Sequence, residues 1–247
     1  MLESVKRQLA PNGVLRAGIN LSNFLLVSDQ STTGDPIGVS PDIAEGVATK
    51  LGVEIEFITY KGPGDVADAI LNDEWDIANI AAEPERAKTI AFSHAYCEIQ
   101  ATYLLPANSP IKSMTDVDQA GNRISVKERA AYDLWLTDNL KHATLVRSVS
   151  MDESLHVFTE QSLDVLAGLR PRLIEDQKQL PGSVLLEESF TAIQQCIGCK
   201  PEYPEAHAFL QSFVHESVSS GWVAALIQKH NVVDRLSPAA LAAQPGI

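Results

Sequence analysis

The sequence predicts an α/β protein whose strands form a mostly parallel sheet under covering helices. Strand-type and helix-type stretches alternate through the first hundred residues in the order strand, helix, strand, helix, strand. A second cycle of the same kind runs from Asn122 onward. The 247 residues, 45% hydrophobic and 21% charged, are ordinary globular material able to bury a sizeable core. At roughly 100–200 residues per domain, the length fits one large domain or two small ones.

Leu15 to Ile19 reads as the first strand, after the turn Pro11-Asn12-Gly13. Ser40-Pro41-Asp42 then offers a cap-type residue, a proline in the first turn and an acid near the N-terminus of a helix. Ile43, Val47 and Leu51 recur every four residues, and Gly52 ends that helix. Val53 to Thr59 alternates like a strand, and Val66, Ala69 and Ile70 mark a short helix face. Asn72-Asp73 turns the chain into a strand over Asp76–Ile80. In the second cycle, Asn122–Val126, Thr144–Val146 and Asp164–Ala167 read as strands and Tyr132–Leu140 as a helix. Ser150 is placed to cap a helix carrying Leu155 and Phe158, and Pro171 to start another. Phe190–Ile197 is a late strand; Glu205–His215 and Trp222–His230 close the chain as helices, with Gln244-Pro245-Gly246 expected to fray.

With 19 basic against 32 acidic residues the net charge is −13, and the isoelectric point is near 4.8. That excludes a phosphate-backbone binder, which needs a basic face, and attraction to anionic lipid. No run approaches the roughly 18 apolar residues of a membrane span. The start, Met1 to Arg7, lacks the apolar stretch of a secretion signal, so the chain is expected to be cytoplasmic, or periplasmic with a leader replaced by Met1. Three cysteines are too few for a disulfide scaffold.

From Gly38 to Tyr96 the sequence carries an ordered set of motifs. These are Gly38-Val39-Ser40-Pro41-Asp42-Ile43-Ala44, Leu51-Gly52-Val53, Trp75-Asp76-Ile77-Ala78, Pro84-Glu85-Arg86 and Ala91-Phe92-Ser93-His94-Ala95-Tyr96. In this order they resemble the family 3 extracellular solute-binding proteins, which serve polar amino-acid ABC transporters. The resemblance implies the periplasmic-binding-protein type II fold: two Rossmann-like lobes joined by two crossover strands. Lobe one is expected over residues 1–101 plus 193–247 and lobe two over 102–192, with the ligand cleft between them, where open α/β sheets place ligands. Binding is expected to close the hinge. A small-molecule ligand and an ABC permease are the implied partners; a monomer is expected, with no cofactor and no metal.

The resemblance also implies site residues. Arg86 matches the arginine that clamps the ligand carboxylate, and Glu83-Pro84-Glu85-Arg86 is expected to open a helix whose N–H groups converge with the guanidinium on one anion. The plainer alternative is a surface arginine paired with Glu83 or Glu85. Asn79 and Ala81 stand where relatives place small polar groups; Ala81 offers only backbone. Arg129, Ala130 and Ala131 replace the family's Gly-Thr or Gly-Ser turn, keeping backbone donors and losing the hydroxyl. The position that supplies an Asp to a ligand ammonium falls on or near Leu169, beside Arg170. A buried ammonium without a carboxylate is costly, so a carboxylate or dicarboxylate is favoured over a standard amino acid. Asn20, Asn23 and Phe24 occupy the first loop, Tyr60 ends a strand at the cleft lip, and Gln194 and Gln195 lie in the return crossover.

Two features are set aside. Cys196-Ile197-Gly198-Cys199 has redox spacing but lies at the end of an apolar strand, whereas a thioredoxin-type pair opens a helix. The histidines, His94 among them, show no metal-type spacing. The expected function is therefore solute capture, not enzymatic. The alternatives are a cyclohexadienyl-dehydratase-like enzyme on the same fold, with Glu83 as its acid, and a stand-alone ligand sensor.

Overall fold

The computed structural model describes residues 2–240, so the Gln244-Pro245-Gly246 stretch lies outside the described residues. The chain divides into two compact units, Met1–Glu98 with Gln194–Ile247, and Ile99–Ile193.

The first unit is built on β1 (Val14–Asn20), β4 (Glu54–Tyr60), β5 (Ile77–Ala81) and β11 (Thr191–Cys199), in the order β4-β1-β5-β11. The first three run parallel and β11 runs antiparallel to β5. β2 (Asp29–Gln30) and β3 (Pro36–Ile37) form a small hairpin, and β12 (Ser237–Pro238) pairs with β6 (Ala91–Leu105) at Cys97 and Glu98. The helices of this unit are α1 (Leu2–Leu9), α2 (Val39–Leu51), α3 (Pro63–Ala69), α7 (Pro204–Ser219) and α8 (Trp222–Lys229). α1 packs on α7, and α8 on α2 and α7.

α2 departs from the sequence expectation at its start. Gly38, not Ser40, is its N-cap residue; Ser40 is buried inside the helix, its hydroxyl in a 2.8 Å hydrogen bond with the Tyr96 hydroxyl. Glycine is required there, because a Cβ on residue 38 would stand 2.2 Å from the Leu26 carbonyl oxygen. The helix stops where expected. Gly52, at φ 66°, turns left-handed and returns its N–H to the carbonyls of Ala48 and Thr49.

β6 carries the chain from the first unit into the second, and β11 carries it back. The second unit repeats the α/β pattern with β7 (Arg123–Lys127), β8 (Thr144–Ser148) and β9 (Val165–Leu169). The order is β6-β9-β7-β8, parallel except for β6 against β9, with β10 (Val184–Leu185) at the far end of β6. α4 (Ala131–Asn139), α5 (Met151–Glu160) and α6 (Arg170–Gln177) complete it. α5 lies across β7, β8 and β9, where Phe158 joins Leu104, Leu163, Leu166 and Leu173 in one apolar cluster. Ser150 caps α5 by accepting from the Glu153 N–H at 3.0 Å.

Candidate functional site

Parallel register brings the polar residues of the first unit to one end of its sheet. Asn20 is the partner of Tyr60, and Ile19 of Asn79, at the carboxyl ends of β1, β4 and β5; Gln195 of β11 stands opposite Ala81. Carboxyl ends of parallel strands are where α/β sheets present ligand-binding groups.

Arg86 follows β5 by five residues and is 4% exposed, a buried position and not a surface one. Glu85 is paired with Lys88. Arg86 opens a three-residue 3-10 turn, Arg86–Lys88, and not the expected helix, because Ile90 and the start of β6 follow at once. The donors at this place are therefore a guanidinium and one tight turn, without the N-terminus of a longer helix. The guanidinium is fixed from behind: Nη1 donates to the Ala81 carbonyl at 2.9 Å. Glu83 is buried three residues away, and its carbonyl accepts from the Ala87 N–H.

Asn79 is buried beside the Tyr96 hydroxyl, its amide close enough to favour the phenolate there but outside strict hydrogen-bond geometry. Burial pushes the Tyr96 phenol far above its ordinary range, so it stays a neutral donor and acceptor. Asn20 and Asn23 are used locally. The Asn20 Oδ1 accepts from the Ser22 N–H at 3.0 Å and from its hydroxyl, and the Asn23 Oδ1 accepts from the Leu25 N–H at 3.2 Å. The Phe24 ring lies under the Arg235 guanidinium at 5.3 Å. The Tyr60 hydroxyl donates to Glu74 at 3.0 Å; burial and that carboxylate together raise its pKa. Gln195 is buried, while the Gln194 carbonyl accepts from the Ala82 N–H.

In the second unit, the turn between β7 and α4 keeps the backbone that a glycine would favour. Arg129 sits at φ 57°, in the left-handed region. Asp133, buried on the first turn of α4, holds that strain by accepting the Arg129 N–H at 2.7 Å, and is itself held by Arg147 Nε at 2.9 Å. Ala130 is the N-cap residue and has no side chain to cap with.

Leu169 is a buried apolar residue at the carboxyl end of β9. Arg170, the cation beside the Leu169 position, is committed elsewhere in part. Its Nη2 donates to the carbonyls of Leu186 and Glu188 at 3.1 Å each, and to that of Glu187 between them. Its Nε is buried without a partner.

Two candidates escaped the sequence reading. Lys127 ends β7 and Ser148 ends β8, and they are register partners. Both are buried, Lys127 at 7% and Ser148 at 5% exposure. The available signal was a lysine closing the strand segment Ile124-Ser125-Val126, where a buried strand ordinarily ends in a turn residue.

Comparison with known proteins gives these units a class. The model of the bacterial extracellular solute-binding proteins, family 3, matches residues 17–232. No curated protein sequence matches the chain. Among solved structures, the solute receptor for L-cysteine of Neisseria gonorrhoeae superposes with TM-score 0.74 at 17% identity, covering 96% of this chain and 99% of that one. A mutant of ArgBP from T. maritima gives 0.72 at 19% identity, covering 93% and 99%. An ancestral amino acid-binding protein, a precursor of cyclohexadienyl dehydratase, gives 0.72 at 19%, covering 92% and 97%. The fold is that of the type II periplasmic binding proteins. The chain belongs to the bacterial extracellular solute-binding proteins, family 3.

Proposed function

We propose that this protein captures a small, polar, carboxylate-bearing solute, closes its two units on it, and as a monomer delivers it to an ABC-type permease outside the cytoplasm. The observation that carries this reading is Arg86, a buried guanidinium aligned from behind by the Ala81 carbonyl at the carboxyl end of β5. A planar guanidinium so held matches a carboxylate with two parallel hydrogen bonds. Asn79, a buried amide, is the second group from this unit, and Asn20, Tyr60, Ala81 and Gln195 stand at the same strand ends, with Asn23 and Glu83 in the segments that follow β1 and β5.

The second unit supplies the open N-terminus of α4 through Ala130 and Ala131. Its Leu169, where relatives use an acid for an ammonium, gives a cationic group no counter-charge. The ligand is thus a carboxylate in preference to a standard amino acid, although relatives of similar fold include arginine-bound and lysine-complexed proteins. Family members are extracellular, and among the described residues no helix is long and apolar enough to cross a membrane.

A thermal-shift screen of carboxylates, amino acids and amines tests the proposal, since a ligand of the native state raises Tm by mass action. A dehydratase reading rests on Glu83, a buried carboxylic acid near Arg86. Turnover of prephenate or arogenate that Glu83→Gln abolishes would establish it.

A further inference from the structure

Between α2, α7 and α8 of the first unit lies a cavity of about 510 Å³ that solute capture through Arg86 does not use. Its walls come from those three helices and the turn joining the last two, and none from a strand end. Ile43, Ala44, Val47 and Leu51 give one side of α2 to the core, which leaves Glu45, Gly46 and Thr49 to line the cavity. Trp222, the first residue of α8, is half-buried and meets the buried Phe213 ring edge-to-face, with centroids 6.0 Å apart. The far edge of the indole reaches α2, where a Cβ on residue 46 would stand 2.4 Å from Trp222 Cη2. Glycine weakens the middle of a helix, so at Gly46 α2 gives up helix propensity and the space goes to an aromatic ring that walls an open cavity.

The charges of the lining do not cancel. Asp42 accepts from Lys229 Nζ at 2.6 Å and from His230 Nε2 at 2.8 Å, and Glu216 is paired with Lys50. Both lysines of the lining are thereby spent, while Glu45 has no hydrogen-bond or ion-pair partner among the described residues. An aromatic wall and a free carboxylate in one concave site share one complement, a cation with an apolar shell. A bare metal ion fits less well, since among the described residues no three ligating side chains converge to hold one. We infer that this cavity binds a small alkylammonium ion, with Trp222 against its methyl groups and Glu45 as its counter-charge. The −13 net charge of the chain favours a cation there. The site is separate from the carboxylate anchor and does not depend on it.

The test is a fluorine NMR titration of the full chain labelled with fluorotryptophan, using choline and its neutral isostere, in which carbon replaces the nitrogen. The chain has three tryptophans, and loss of one resonance in Trp222→Leu assigns that of Trp222. Choline is expected to move the Trp222 resonance saturably, leave those of Trp75 and Trp135 in place, and bind at least about tenfold more tightly than the isostere. Glu45→Gln, an exposed change that keeps the fold, should reduce that preference severalfold. Trp222→Leu should abolish choline binding read by calorimetry; should that variant fail to fold, Glu45→Gln carries the test. No saturable shift at Trp222, a shift confined to Trp75 or Trp135, equal affinity for choline and the isostere, or a preference unchanged in Glu45→Gln each overturns the inference.

Discussion

The Arg86 guanidinium donates from Nη1 to the carbonyl oxygen of Ala81 at 2.9 Å, so the proposed anchor is tied back to the last residue of the strand that presents it. Such an arrangement fixes the plane of the guanidinium before any ligand arrives, which lowers the ordering cost of binding. Arg86→Lys keeps the charge and loses the planar fork. Affinity for the best ligand should fall at least about tenfold, and Tm without ligand should fall by a few degrees, about 1 kcal/mol, as the Ala81 carbonyl loses its partner.

Gly38 tests the packing of α2. A methyl there would meet the Leu26 carbonyl oxygen at 2.2 Å, the Leu26 carbonyl carbon at 2.8 Å and the Val27 Cα at 2.8 Å, all of them backbone atoms that cannot swing aside. Gly38→Ala should destabilise the protein by about 1–3 kcal/mol or more, read as a lower urea midpoint with unchanged slope.

Arg129 carries backbone strain at φ 57°. Arg129→Gly relieves a conformation that costs an L-residue about 1–2 kcal/mol, partly offset by the greater freedom of glycine when unfolded. Tm should rise or hold. If the Arg129 side chain also serves the ligand, affinity should fall in the same variant, a split between stability and binding that a merely structural residue would not give.

Asp118 provides the acid-sensitive element. Its carboxylate accepts three consecutive N–H groups, Lys141 at 2.9 Å, His142 at 2.8 Å and Ala143 at 2.9 Å. Burial opposes ionisation there, but the three donors win and hold the pKa below the usual carboxylate range. A folded pKa below the unfolded one means the stabilisation is complete above about pH 4 and fades as pH drops through the folded value. Asp118→Asn should lower Tm at pH 7 and flatten the decline of Tm between about pH 4 and pH 2.

The cysteines should be silent. Cys196 and Cys199 are three residues apart on one extended strand, so their Cα atoms are about 10 Å apart, beyond the roughly 7 Å limit for a disulfide. Burial pushes the Cys199 thiol up to about 12 and raises Cys97 and Cys196 as well. A thiol reagent at pH 8 should label none of the three in the native protein and all three after denaturation.

Much of this was legible in the chain because it is local. Four-residue spacing and Gly52 delimit α2, and Ser150 caps α5. What escaped depends on partners far along the sequence. Ser40 has the composition of a cap, yet its hydroxyl is claimed by Tyr96, 56 residues on. The expected helix after Glu83 shrinks to one 3-10 turn because β6 must begin at Ala91. α1 offers only Val5 and Leu9 as an apolar stripe and gains its stability from α7, far along the chain, a pairing that no local pattern announces. Lys127 and Ser148 become neighbours through strand register, and register is a property of the sheet.

Anchoring of a carboxylate by Arg86 is tested by thermal shift on a carboxylate panel with wild type and Arg86→Ala. The wild type should gain Tm in proportion to ligand excess, about 2.7 kcal/mol of stabilisation at one hundred times Kd. Arg86→Ala, folded by circular dichroism, should show no shift with the same acid. A shift that survives in Arg86→Ala, or a wild type stabilised only by amines or cationic amino acids, means that Arg86 is not a carboxylate anchor.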